Sequence, residues 1–134
     1  MGMANRLLVV DDEPSIARVI ETAARQIGLE VMAITDTDEF EKALQTHRPT
    51  IIMLDIAMPG RDGVELLGYL VAANYAGKVV VMSGSHPSYI QMSSAIARNR
   101  GLDLAGALPK PFRKQAVADL LTRLVAAPAY QRTE

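Results

Sequence analysis

The 134-residue chain contains no cysteine and no tryptophan. Without thiols there can be no disulfide, no thiolate nucleophile and no cysteine-held zinc or iron–sulfur centre. Long apolar runs are missing too. Runs such as residues 7–10, 51–54 and 79–82 fall far short of the ~20 residues that span a bilayer. No basic-then-apolar segment precedes Asp11, Asp12 and Glu13, so a secretory leader is not expected and a cytoplasmic location is. A dense basic stripe, the usual mark of a nucleic-acid binder, is also lacking. Arg98, Arg100, Arg113, Lys114 and Arg123 are spread out and read as solvated helix faces rather than a docking face for an acidic partner. Neither nucleic acid nor membrane is expected as a direct partner.

What is present is ordinary for a globular domain: 49% hydrophobic and 22% charged residues, with a net charge of −1. Disorder is therefore not expected, and the length suits a single domain of roughly 100–150 residues. The near-neutral total conceals an asymmetry, because residues 1–75 carry −6 and residues 76–134 carry +5.

Short apolar runs alternate with amphipathic stretches, the pattern of an α/β domain built on a parallel sheet. Strands are expected over 7–10, 31–35, 50–54, 79–83 and 106–109. A first helix opens near Pro14, carries Ile16, Val19, Ile20, Ala23 and Ile27 on one face, and stops at Gly28. A second starts at Asp36, whose spacing to Glu39 is that of a capping box, and runs to about His47, where Pro49 closes it. A third carries Val64, Leu67, Leu70 and Val71. A fourth spans about 87–99, and the last, about 113–125, repeats Val117, Leu120, Leu121 and Leu124 along one side. Met32, Met53, Met82 and Met92 read as core filler. His47 suits a helix C-terminus and His86 a loop, and Asp62 reads as a turn or cap rather than a ligand.

In open parallel sheets, sites form beyond the carboxyl ends of the strands. That rule selects Asp11 and Asp12 after the first strand, Asp55 at the third, Ser83 at the fourth and Lys110 after the fifth. Three adjacent carboxylates repel one another. A divalent hard cation such as Mg²⁺, together with Lys110, would balance their charge. An incoming phosphoryl group could then share its oxygens between the cation, Lys110 and the Ser83 hydroxyl, with Asp55 as the nucleophile.

Asp11-Asp12, the run from Asp55 through Met58-Pro59-Gly60 to Asp62-Gly63, Ser83-Gly84 and Lys110-Pro111-Phe112 resemble the signature of response-regulator receiver domains of two-component signalling. The resemblance covers about residues 5–125, with 126–134 left as a tail or the start of a linker. It implies a flavodoxin-like, doubly wound five-stranded parallel sheet in the order 2-1-3-4-5, with five helices on both faces. It further implies that Asp55 accepts phosphate from a histidine kinase or phosphotransfer protein. Asp12, Asp55 and the backbone carbonyl of Ala57 would bind Mg²⁺, Asp11 would act mostly through water, and Lys110 and Ser83 would contact the phosphoryl oxygens. A cis Lys110–Pro111 peptide is also implied. The signal would pass to an output domain or partner, with self-association possible through the face made by the 87–99 helix, the fifth strand and the last helix.

Three departures from the family pattern bear on mechanism. Ala107 stands where the family usually has an aromatic ring, so movement at Ser83 should pass instead into residues 84–87 and the helix that follows. The 27-residue interval from Ser83 to Lys110, with Ser83-Gly84-Ser85 and Gly101-Leu102, is similar to receivers fronting cyclic-di-nucleotide phosphodiesterase domains. Ala57 and Ser85 are both small, which leaves the phosphorylated lifetime unread. Rival functions fit less well. A phosphatase of the haloacid-dehalogenase type needs a second carboxylate two residues after the nucleophile, and Ala57 is there. A dinucleotide-binding domain needs G-x-G-x-x-G after the first strand, and Asp11-Asp12-Glu13-Pro14 is there. A pseudo-receiver that only binds partners would not need the full set of phosphorylation residues found here. Self-catalysed phosphorylation and dephosphorylation are the only chemistry expected, not turnover of a free substrate.

Overall fold

The computed structural model describes residues 5–56, 63–84 and 98–126, with the single positions 91 and 95. Its strands are β1 (Arg6–Val10), β2 (Glu30–Ile34), β3 (Ile51–Asp55), β4 (Lys78–Ser83) and β5 (Asp103–Pro109). Its helices are α1 (Pro14–Gln26), α2 (Phe40–His47), α3 (Gly63–Ala72) and α4 (Lys114–Ala126). All strand pairs are parallel, in the order β2-β1-β3-β4-β5. The helix expected over 87–99 lies mainly outside the described residues, although Gln91, Ala95, Arg98 and Asn99 are helical. The tail expected over 126–134 lies outside them beyond Ala126.

Unbroken apolar strands suit a sheet covered on both faces. The two-residue side-chain period divides them between two cores. Leu8 and Val10 of β1, Ile52 and Leu54 of β3, and Val79 and Val81 of β4 pack with Phe40, Ala43, Leu66, Leu67 and Leu70. Their alternates Leu7, Val9, Ile51, Met53, Val80 and Met82 pack with Ala17, Ile20, Ala24, Val117, Leu120 and Leu121. Helices α2 and α3 therefore cover one face, and α1 and α4 the other. The Phe40 and Tyr69 rings meet edge-on at 6.0 Å, locking α2 to α3.

In α1 the buried residues are Ala17, Ile20, Ala23 and Ala24, and Ile16 and Ile27 lie half buried against the same core, as the expected apolar face requires. Two local expectations need correction. The Asp36–Glu39 pair forms no capping box. Asp36 Oδ1 accepts the nearer Asp38 N–H at 2.9 Å, which tightens residues 37–39 into a 3₁₀ turn and delays α2 to Phe40. β5 begins at Asp103 rather than 106. Val79 pairs with Leu104 but Val80 with Gly106, so Ala105 is an extra bulged residue that breaks the alternation.

Chain reversals follow the expected residues closely. Gly28, at φ +85°, ends α1, and its N–H donates to the Arg25 carbonyl. At the end of α2 the left-handed residue is Arg48, immediately before Pro49. Gly106 has a packing reason, since a Cβ there would lie 3.1 Å from Leu120 Cδ1 on α4.

Candidate functional site

Because every strand runs the same way, the carboxyl ends gather on one side of the sheet. The chain leaves β1 for β2 in one direction, while β3 lies on β1's other flank, and that reversal opens a crevice between the ends of β1 and β3. Asp11 and Asp12 follow β1, Asp55 closes β3, Ser83 closes β4 and Lys110 follows β5. Register carries Asp55 opposite Met82, one residue before Ser83. Ser83 in turn lies opposite Pro109, and its carbonyl accepts the Lys110 N–H at 2.9 Å. Pro109, which has no N–H, sits at the end of an edge strand where no donor is required. The Lys110–Pro111 peptide is cis.

Carboxylate oxygens of Asp11, Asp12 and Asp55 come within 4.8 Å of one another. Asp11 and Asp55 are buried, whereas Asp12 is exposed. Lys110 Nζ lies 2.8 Å from Asp11 Oδ2 and 3.0 Å from Asp55 Oδ2. Burial works against its charge, yet hydrogen bonding and attraction from Asp11 and Asp55 win and hold its pKa above the ordinary lysine value. The ammonium is therefore permanently charged at physiological pH. Asp11 shows the opposite balance. Burial raises its pKa, and the Lys110 contact and the Glu13 N–H, donated to Oδ1 at 2.9 Å, only partly offset that.

Asp11 Oδ2 is buried, and its contact is the ion pair with the Lys110 ammonium at 2.8 Å, with no further hydrogen-bond donor. An oxygen-only donor set of three carboxylates, one holding such an oxygen, matches the demands of a small hard cation or its bound water. These residues fit Mg²⁺.

Reading the sequence missed Glu13. Its Oε1 lies 3.3 Å from Lys110 Nζ, making a third carboxylate on the same ammonium. The available signal was position, because Glu13 follows the aspartate pair directly and caps the same crevice at the start of α1. Ala57, Asp62, Ser85 and His86 lie outside the described residues. His47 is at the opposite end of the sheet, where Nε2 lies 2.9 Å from the Leu7 carbonyl, a tie its helix-end position did not disclose. Met53 and Met82 are fully buried and Met32 half buried; Met92 lies outside the described residues.

Comparison with known proteins points the same way. The family profile described as response regulator receiver domain matches residues 7–122. The DNA-binding response regulator MtrA of Mycolicibacterium smegmatis is 30% identical over 91% of this chain and 51% of its own length. A probable transcriptional regulator, ycf27, of Cyanophora paradoxa is 43% identical over 43% of this chain and 24% of its own length. The chain thus spans about half the length of the first of these relatives and about a quarter of the second. A response regulator from Colwellia psychrerythraea superposes with a TM-score of 0.78 at 25% identity, covering 91% of this chain and 97% of that one. A response regulator from Thermotoga maritima gives 0.78 at 17% identity, covering 93% and 100%, a likeness of fold.

Proposed function

The chain belongs to the response-regulator receiver domains, and from that membership we propose that Asp55 is its phospho-acceptor, served by Lys110 and Ser83. The observation that carries this reading is the position of Lys110 Nζ, between the buried carboxylates of Asp11 and Asp55 at one end of the sheet. A lysine held there meets negative charge on both the nucleophile and an incoming phosphoryl group.

An Asp55 carboxylate oxygen attacks the phosphorus of a phosphohistidine or of a small acyl phosphate. The new P–O bond forms as the bond from phosphorus to the departing imidazole nitrogen, or carboxylate oxygen, breaks. The leaving group departs with that electron pair. Lys110, kept charged by its carboxylate neighbours, stabilises the extra charge on the equatorial oxygens. The Ser83 hydroxyl, at the end of the adjacent strand, donates to one of those oxygens. Asp11, Asp12, Asp55 and the Ala57 carbonyl would hold Mg²⁺, Asp11 mostly through water. When bound, the cation neutralises the carboxylates and the transferring oxygens. Ala57 lies outside the described residues, so its part rests on the motif alone.

The upstream partner is a histidine kinase or phosphotransfer protein, and the downstream one an output domain or separate protein. The printed name of MtrA calls that relative DNA-binding, but this chain spans half of it. Direct nucleic-acid contact is no part of this reading for residues 5–125. Self-association through the 87–99 helix, β5 and α4, and a cytoplasmic location, belong to the same proposal. Among the described residues no helix is long and apolar enough to cross a membrane. The resemblance to receivers fronting cyclic-di-nucleotide phosphodiesterases, and relay through residues 84–87, rest largely on positions outside the described residues.

The test is Mg²⁺-dependent labelling with acetyl phosphate, read by intact mass. Addition of one phosphoryl group, mapped to Asp55 and absent without Mg²⁺, is expected. Undiminished labelling at another residue, or none at all in a folded protein, would sink the assignment.

A further inference from the structure

We propose that Glu13 is a positioning residue that occupies, through Lys110, the place a phosphoryl oxygen takes on phosphorylation. The inference rests on the receiver reading above and adds a specific competitor to it. An ammonium has three N–H donors and no acceptor. Lys110 Nζ has three carboxylate oxygens around it: Asp11 Oδ2 at 2.8 Å, Asp55 Oδ2 at 3.0 Å and Glu13 Oε1 at 3.3 Å. A new anionic oxygen must compete with these three for the ammonium.

The three are not equally able to leave. Asp11 and Asp55 side chains are 0% and 3% exposed and fixed at strand ends. Turning either away from the lysine would leave a buried carboxylate without its cation, which is costly. Glu13 is 58% exposed, its contact is the longest, and water waits to solvate it. Its side chain makes no capping bond to α1 that would hold it in place. Glu13 is the ligand that exchanges. In the unphosphorylated state it holds the ammonium at the crevice mouth, and it yields when a phosphoryl oxygen arrives. Anion affinity is thereby lowered by the strength of one exposed ion pair.

Binding of beryllofluoride with Mg²⁺, measured by calorimetry on the whole chain, tests this with three proteins. Glu13→Gln should tighten binding by ~two- to fivefold, the range of an exposed ion pair. Glu13→Asp is the decisive variant. It keeps the charge, but its shorter side chain cannot reach Lys110, and aspartate in that position turns to cap the helix. It should match Glu13→Gln, and do so at high as well as low salt. If Glu13→Asp tracks the wild type while Glu13→Gln tightens, diffuse charge is responsible and the exchange idea is wrong. Unchanged or weaker binding by both variants also overturns it. Failure of the wild type itself to bind beryllofluoride, while remaining folded, would instead bring down the receiver reading and this inference with it.

Discussion

The two ends of the sheet are built from the same five parallel strands and could hardly differ more. At the amino ends, polar groups are neutral or paired and close on one another. Arg6 N–H donates to Thr50 Oγ1 at 3.0 Å, and Thr50 N–H returns to the Arg6 carbonyl at 2.8 Å. Arg6 Nε caps the end of α2 through the His47 carbonyl at 2.8 Å. His47 Nε2 donates to the Leu7 carbonyl, and the Tyr75 hydroxyl to the Pro49 carbonyl, both at 2.9 Å. At the carboxyl ends, three aspartates crowd within 4.8 Å, and a single lysine serves three carboxylates. One end stabilises the fold. The other gathers an excess of carboxylates around one ammonium, a crowding of negative charge that a bound cation would relieve, the familiar opposition of stability and activity. Substitutions at the two ends should therefore separate folding from phosphorylation.

The largest effect belongs to Asp55→Asn. The side chains are nearly isosteric, so the fold should persist while labelling by acetyl phosphate disappears. Intact mass and far-ultraviolet circular dichroism on the same sample check both halves. Loss of structure together with loss of labelling would mean that the carboxyl end also supports the fold, against the division drawn here.

Gly77→Ala is the counterpart at the other end. A Cβ there would collide with the Tyr75 hydroxyl and approach the Thr50 backbone carbonyl to 2.6 Å. The backbone oxygen is fixed by the Lys78 N–H bond at 3.0 Å and cannot step aside. Overpacking of this kind costs about 1–3 kcal/mol. Urea unfolding should show a lower midpoint, and whatever fraction stays folded should label with acetyl phosphate at the wild-type rate. A drop in that rate would couple the two ends.

How much of this was legible beforehand depends on sequence distance. Asp11, Asp12, Asp55, Ser83 and Lys110 could be placed together because each ends a run of apolar residues, and parallel strands carry all such ends to one side. The strand order came from the resemblance. Glu13 was hidden because an exposed glutamate before Pro14 reads equally well as an ordinary helix opening. The amino-end network was invisible for a different reason. Arg6 and Thr50 are 44 residues apart, and His47 and Leu7 40 apart, and no local pattern marks such pairs. The β5 bulge escaped because Leu104-Ala105-Gly106-Ala107 contains three small residues, whose burial carries little periodic signal.

A smaller effect is expected for Tyr75→Phe. The buried Pro49 carbonyl loses its donor, at a cost of about 1 kcal/mol. Burial keeps the Tyr75 pKa above its usual value, so the hydroxyl remains a donor through mildly alkaline pH. The loss should appear as a constant offset in stability between pH 5 and pH 9, with labelling unchanged. An offset that varies across that range would show that the hydroxyl titrates in the native protein.

The smallest effect has the opposite sign, and it is the sharpest test of the comparison. Asp11→Asn removes a buried charge from the crowded end while Asp55 and Glu13 continue to pair Lys110. Because burial raises the pKa of Asp11 in the native state, the folded chain holds that proton more tightly than the unfolded one. Stability from this group therefore falls as pH rises from the ordinary carboxylate value of 3.8 through the raised native value, and the full cost is present above it. Lys110 has the same sign of pH dependence, at a far higher pH. Its raised pKa contributes stability that is complete below 10.5 and lost only as pH climbs through the native value. In metal-free buffer at pH 7 the Asn variant should thus be more stable than wild type. The gain should shrink as pH falls through the Asp11 transition. Adding Mg²⁺ should reverse the ranking. The wild type, with its full donor set, gains about 2.7 kcal/mol at a hundredfold excess over the dissociation constant, whereas the variant binds the ion more weakly and gains less. Thermal unfolding of both proteins, with and without Mg²⁺, supplies the four values required. A destabilised variant in metal-free buffer would show that Asp11 is already satisfied without the cation, and that the carboxyl end is no costlier to the fold than the amino end.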